Sequence, residues 1–181
     1  MQQFIEIGAH GAMDYLRGMI DRGNNLRPVL LEIGEDVTES TKKRFDTATD
    51  PDGQAWAPNS DVTLARYSSL FARKKDGSLT KASAQKLANK KPGTGETRML
   101  ATTINYQVHG ADSVGVGSPM IYAATFHYGA KSGEFGFGMY LTRNGSFPIP
   151  WGDIPSRKFL GLSAADKVNI GELVRSYMLN G

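Results

Sequence analysis

The stretch Thr97–Gly129 constrains the fold more than any other part of the chain. Ile104, Tyr106 and Val108 alternate with Thr103, Asn105 and Gln107, the period-two pattern of a strand that buries one face. Val114 and Val116 repeat the pattern after Gly110-Ala111-Asp112, so the chain must turn back on itself as an antiparallel pair. Ser118 offers an N-cap and Pro119 an N1 residue, which predicts a helix from there to Gly129. The hairpin plus this helix forms the expected core. The fold class is therefore α+β: a small antiparallel sheet packed against several helices, with extended loops or arms.

The flanking segments supply those helices. Phe4-Ile5-Glu6-Ile7 reads as a short strand, and Ala9, Met13, Leu16, Met19 and Ile20 recur at helical spacing up to Gly23. After the polar break at Arg22–Asn25, a longer helix starts near Pro28, striped by Leu30, Ile33, Val37, Thr41 and Phe45. Gly34 weakens that helix slightly without breaking its pattern. Its opposite face carries Glu32, Glu35, Asp36, Glu39, Lys42 and Lys43, an ordinary solvated face. Asp50-Pro51-Asp52-Gly53 has type I turn chemistry. A calcium loop counted from Asp50 fails, with Ala55 at the sixth position and Asp61 at the twelfth. Trp56, among turn residues, is expected to pack down as a loop anchor. Ser60 then caps a helix carrying Leu64, Tyr67, Leu70 and Phe71. Near the end, Ser163 with Asp166 makes a loose capping box, and Ile170, Leu173, Val174 and Tyr177 stripe a closing helix.

Two segments stand apart. Between Arg73 and Lys91 the cations Arg73, Lys74, Lys75, Lys81, Lys86, Lys90 and Lys91 meet only Asp76, and Leu79 and Leu87 are the only large apolar residues. So little apolar surface implies an exposed basic arm over about 73–95, helical in part across Ala82–Ala88 and mobile in the free subunit. Pro92-Gly93-Thr94-Gly95 returns the chain to the core. The second is a Gly-rich hairpin insertion at about 130–150, in which Met139–Thr142 and Ser146–Ile149 flank Arg143-Asn144-Gly145, and Asn-Gly favours a type I′ turn. The rest, with 181 residues in all, suits one domain.

Chemistry is sparse. Gly133–Gly138 has its glycines in the wrong order for a dinucleotide fingerprint, and no Gly-Lys-Ser/Thr triplet follows a Gly-rich turn. An enzyme would have to use His10, His109 or His127 with carboxylates such as Asp112 or Glu134, and these show neither metal spacing nor a nucleophile elbow. No catalytic residue, cofactor or metal is expected. The absence of cysteine excludes disulfides and thiolate metal sites. No apolar run approaches the roughly 20 residues that span a bilayer, and the opening residues lack the pattern of a secretory signal. A cytosolic site of synthesis and no membrane partner are expected. A net charge of +3 does not by itself argue for nucleic acid, so a DNA contact would have to rest on the basic arm, which has no aromatic to stack on bases.

Four motifs in fixed order carry a family resemblance: Arg44-Phe45 with Thr49–Pro58; Thr97–Ile104; Pro119 with Tyr122-Ala123-Ala124 and Tyr128-Gly129; and Ile154-Pro155-Ser156-Arg157-Lys158-Phe159-Leu160-Gly161-Leu162. Together they resemble the phage virion morphogenesis family, the tail-completion proteins of Mu-like tailed bacteriophages. The strongest piece is Pro-(small)-Arg-x-Phe-Leu-Gly before a helix. Ser156 and Lys158 stand where the family commonly has Ala and Pro, and Thr97-Arg98-Met99-Leu100 stands where it has Thr-Gly-x-Leu. The segment 131–147 lies outside the resemblance.

The resemblance implies a non-enzymatic virion protein at the neck or tail, assembled in the host bacterial cytoplasm. Such a protein terminates the tail tube as a ring, with a hexamer the expected form, and provides the surface on which the head docks. Its partners would be copies of itself, the tail tube protein, a head-side neck or connector protein, and DNA passing through the lumen. Trp56, Tyr122, Tyr128, Arg157 and Phe159 are the expected assembly or structural residues. Phe159 is expected to fill the core while Arg157 fixes a carboxylate or carbonyl. Apolar side chains in turn-rich segments, among them Trp56, Phe135, Phe137 and Trp151, are more than a small monomer would readily cover. The alternative is another neck ring component, or a DNA-contacting module that uses the basic arm.

Overall fold

A computed structural model describes residues 10–134, 139–142, 145–148 and 153–180. Its element order is α1 (His10–Asn24), α2 (Arg27–Thr47), α3 (Asp61–Ser69), α4 (Lys81–Ala88), α5 (Met99–Thr102), β1 (Asn105–His109), β2 (Ser113–Gly117), α6 (Ala123–Tyr128), β3 (Met139–Thr142), β4 (Gly145–Pro148) and α7 (Ala164–Asn180). The class is α+β.

β1 and β2 pair antiparallel with Tyr106 opposite Val116 and Val108 opposite Val114, the register that the alternation requires. The face bearing Tyr106, Val114 and Val116 lies on α2, and α7 packs along α2 on the same side of the molecule. α2 owes its position to the stripe Leu30, Ile33, Val37, Thr41 and Phe45, every member of which is buried. Gly34 belongs to that buried face. A Cβ there would stand 2.7 Å from Tyr106 Cγ and 3.0 Å from Val114 Cγ2, so the helix can lie this close to the sheet only at a glycine. Two apolar clusters result, joined through Val116: Val29, Ile33 and Val37 with α7, and Phe45, Trp56, Leu100, Ile104 and Phe159 around α5 and α6.

Several expectations are met and others corrected. α1, α2, α3 and α7 lie where periodicity places them, with Ser60 Oγ accepting from Thr63 N–H. Ser163 and Asp166 exchange backbone donors as a capping box should. Val174 of α7 is exposed rather than part of the buried stripe. The helix ending at Gly129 begins at Ala123, not at Pro119. Ser118 Oγ accepts from Met120 N–H two residues on, which makes a local turn first and delays the helix. The second hairpin pairs Thr142 with Gly145, so Gly145 lies in the strand rather than in the turn. The strand expected at Phe4–Ile7 and the residues Phe135, Phe137, Arg143, Asn144 and Trp151 lie outside the described residues.

The basic segment carries the partial helix expected of it, α4, and its lysines at 74, 75, 81 and 86 are exposed. Arg73 and Leu79 form a β-bridge around the Lys74–Gly77 turn, Thr80 caps α4, and the buried Ser83 hydroxyl donates to Ala72 O. At its far end Asn59 Nδ2 donates to Lys90 O, and the ammonium groups of Lys90 and Lys91 donate to Gly95 O and Asp46 O. Gly93 has φ 74° and lies against the rings of Phe45 and Phe126, where no side chain would fit, and so docks the segment on the core.

Candidate assembly surface

The four separated motifs meet in space. The chain from Ile154 to Gly161 runs as a strap across the aromatic cluster, started by a bridge between Ala130 and Ile154 and held by Arg157 N–H donating to Phe126 O. Phe159 is fully buried, with its ring 5.4 Å from Phe45 and 6.0 Å from Phe126. Trp56 stacks edge-on against Phe45 at 5.1 Å and donates its indole N–H to Lys158 O at 2.9 Å. At 7 % exposure, Trp56 is a core residue and offers no apolar surface to a neighbour, which corrects that part of the expectation.

Two arginines fix the strap, Arg44 from α2 and Arg157 from within the strap itself. Arg44 on α2 donates through Nη1 to Phe159 O and Gly161 O, both at 2.8 Å, and through Nη2 to Asp166 Oδ2 at 2.6 Å. Burial lowers the Arg44 pKa, and the Asp166 carboxylate opposes that shift. Burial also works on Asp166, to raise its pKa, but hydrogen bonds from Ser40 and Ser163 together with the Arg44 charge outweigh it and hold the carboxyl below its usual value. Arg157 donates through Nε to Ala57 O at 2.8 Å and through Nη2 to Pro58 O at 2.7 Å. Its guanidinium sits 5.6 Å from the Phe126 ring centre. Arg157 thus fastens the strap to the Trp56–Pro58 turn through carbonyls. The Arg44–Asp166 pair, 122 positions apart, has no local signature in the sequence.

Of the three histidines, His127 packs against the strap, and His109 is exposed. His127 Nδ1 faces the N–H groups of Phe159 at 3.3 Å and Leu160 at 3.4 Å, so it acts as an acceptor and the ring is neutral. Burial lowers its pKa, and the nearby Lys158 charge adds to the shift. Among the described residues no cluster of histidine and carboxylate side chains has an arrangement that could hold a metal ion, and no helix is long and apolar enough to cross a membrane.

The outer surface is unusually apolar in two places. Ile121, just before α6, is 97 % exposed and Tyr128, its last residue, 77 %, with Tyr122 half exposed at the start of the helix. On α1, Met13, Tyr15, Leu16 and Ile20 are all exposed, although Arg22 holds the end of that helix to Met178 O of α7. Neither Ile121 nor the exposure of the α1 stripe was apparent in the sequence, because periodicity marks an apolar face without saying what covers it. Between the aromatic cluster and α3 opens a cleft of about 340 Å³ lined by Asn59, Tyr67, Glu96, Tyr122, Phe126 and Arg157.

Charge is segregated as well. Residues 61–91 hold eight Lys and Arg against Asp61 and Asp76, a net +6, which leaves −3 for the remainder of the chain. Lys74, Lys75, Lys81 and Lys86 are exposed, whereas Arg73, Lys90 and Lys91 are engaged with their own chain. Lys90 also sits 4.4 Å from the Tyr67 ring centre, and burial lowers its pKa.

A model of the phage virion morphogenesis family matches residues 9–179, nearly the whole chain. The chain belongs to that family. No curated protein and no solved structure gives a match. Membership makes this a protein of virion morphogenesis, with a role in the structure or assembly of the phage particle. The family match also takes in residues 131–147, beyond the extent of the motif resemblance.

Proposed function

We propose that this protein completes the tail of a tailed phage, as a ring that caps the head-proximal end of the tail tube and joins tail to head. The observation that carries the reading is the family match over residues 9–179, combined with exposed apolar surface on α1 and around α6. A monomer seldom leaves so many large apolar side chains in water unless a partner covers them. The convergence of the four motifs on one rigid strap leaves Ile121, Tyr122 and Tyr128 on a fixed platform, a surface suited to a neighbouring subunit. A hexamer made by head-to-tail contacts is the expected closed form, and each stable contact should bury upwards of about 1,000 Å². Tail tube protein and a head-side neck protein are the other partners, and the site of action is the neck of the virion. No catalytic step belongs to this role.

Light scattering on the purified protein, alone and with tail tube protein, tests the ring. Assembly to a discrete multiple of 19.7 kDa is expected; a monomer at high concentration in both conditions would refute it. The segregated +6 charge of residues 61–91 favours a second reading, a contact with DNA in the lumen. That reading predicts duplex binding that falls steeply with salt.

A further inference from the structure

The two buried arginines differ in one respect. Arg44 has a carboxylate, Asp166, as its counter-ion. Arg157, only 8 % exposed, has carbonyl oxygens and no carboxylate. The Ala57 and Pro58 carbonyls and the Phe126 ring offset part of the lost hydration, no carboxylate among the described residues pairs with the charge, and burial lowers its pKa. A buried cation is retained at a cost unless an anion pairs with it. Its third nitrogen, Nη1, makes no hydrogen bond among the described residues, yet it is not among the fully enclosed atoms that lack partners. Arg157 is one of the residues that line the 340 Å³ cleft. The carboxylate already present at that cleft, Glu96, is drawn off to Arg66 at 3.8 Å.

We propose that this cleft receives a carboxylate side chain from a second copy of the chain, which supplies the missing counter-ion of Arg157 at the subunit interface. The proposal rests on the ring reading above. A side-chain carboxylate on a stem of one or two methylenes can enter a cleft this size. A duplex phosphate, fixed on a wide backbone, cannot. Tyr67, Tyr122 and the apolar Phe126 also line the cleft, and a tyrosine hydroxyl can donate to a carboxylate oxygen. The same chain offers the complementary groups. Glu32, Glu35, Asp36 and Glu39 occupy positions i, i+3, i+4 and i+7 on one exposed face of α2, and none of them has a cationic partner among the described residues. Like charges at these spacings repel one another within a helix, Lys42 and Lys43 ease this only at the Glu39 end, and a cation from outside relieves the rest. A contact from one patch to a different patch is head-to-tail, the type that closes rings.

The test leaves Arg157 in place, since replacing it would also release the Ala57 and Pro58 carbonyls. Thr97→Trp, at an exposed residue lining the cleft, fills it. A combined Glu32→Gln, Glu35→Gln, Asp36→Asn and Glu39→Gln variant removes the donor charges. Self-association of the full chain is followed by analytical ultracentrifugation, with circular dichroism to establish that each variant is folded. Each variant should weaken association by about 30-fold, the lower end for losing one partner of a buried charge pair. Combining them should cost no more than either alone, because both abolish one contact. Wild-type association unaffected by either variant, or losses that multiply, would overturn the proposal while leaving the ring standing. A wild-type chain that never associates, even with tail tube protein, would overturn both. Loss of duplex DNA binding in Thr97→Trp with association unchanged would assign the cleft to nucleic acid and refute the proposal.

Discussion

Replacing Gly34 by alanine separates what helix propensity predicts from what packing dictates. In the middle of a helix, alanine is better than glycine by about 1 kcal/mol, so propensity alone predicts a gain. The structure predicts a loss, because the new Cβ would lie 2.7 Å from Tyr106 Cγ and 3.0 Å from Val114 Cγ2 on the sheet that α2 covers. Overpacking of this kind costs about 1–3 kcal/mol, and contact with ring and branched carbons of a paired hairpin puts it toward the upper end. The net effect of Gly34→Ala should be destabilisation by about 1–2 kcal/mol, a fall in Tm of roughly 2–8 °C for a chain of this size. Gly171 on α7 serves as the internal control. A Cβ there meets nothing within 4 Å, so Gly171→Ala should stabilise by about 0.5–1 kcal/mol. Urea or thermal unfolding of both variants decides the matter. If Gly34→Ala matches or exceeds the wild type, the close approach of helix and sheet is wrong.

Removing the Asp166 charge by Asp166→Ala strands Arg44 in the core and should cost about 3–5 kcal/mol in urea unfolding. The same carboxyl, held below its ordinary value, contributes stability above the unfolded carboxylate pKa that is lost as pH falls through the lower folded value, so the acid limb of unfolding should flatten in Asp166→Asn. His127 has a lowered pKa: its contribution is present above the ordinary histidine value and is lost as pH falls through the folded one, and a His127→Gln variant should lose that part of the pH dependence in thermal melts. Trypsin should cut first at Lys74 and Lys75, at the exposed turn, and later at Lys90 and Lys91, whose amines are held by Gly95 and Asp46; mass spectrometry of an early time point reads the order.

The hairpin and α2 were legible because each writes its own period into consecutive residues and the two periods agree with a single buried face. α4 was legible as a partial helix, but the docking of its segment was not, since that depends on Ser83 meeting Ala72 O and on Gly93 meeting Phe126. Local rules also misplaced the start of α6, where Ser118 had two uses for its hydroxyl and the turn won over the cap. Of the candidate site, Arg157 and Phe159 could be singled out only through the family motif. The Arg44–Asp166 pair, the open side of Arg157 and the exposure of Ile121 arise from long-range packing, which no spacing in the chain records.

The most direct test of the account is electron microscopy of tails and virions that carry a labelled copy of this protein. The account predicts label as a ring at the head-proximal end of the tail, in detached tails and in whole particles alike. Label along the tube, at the distal tip or only on heads would contradict it.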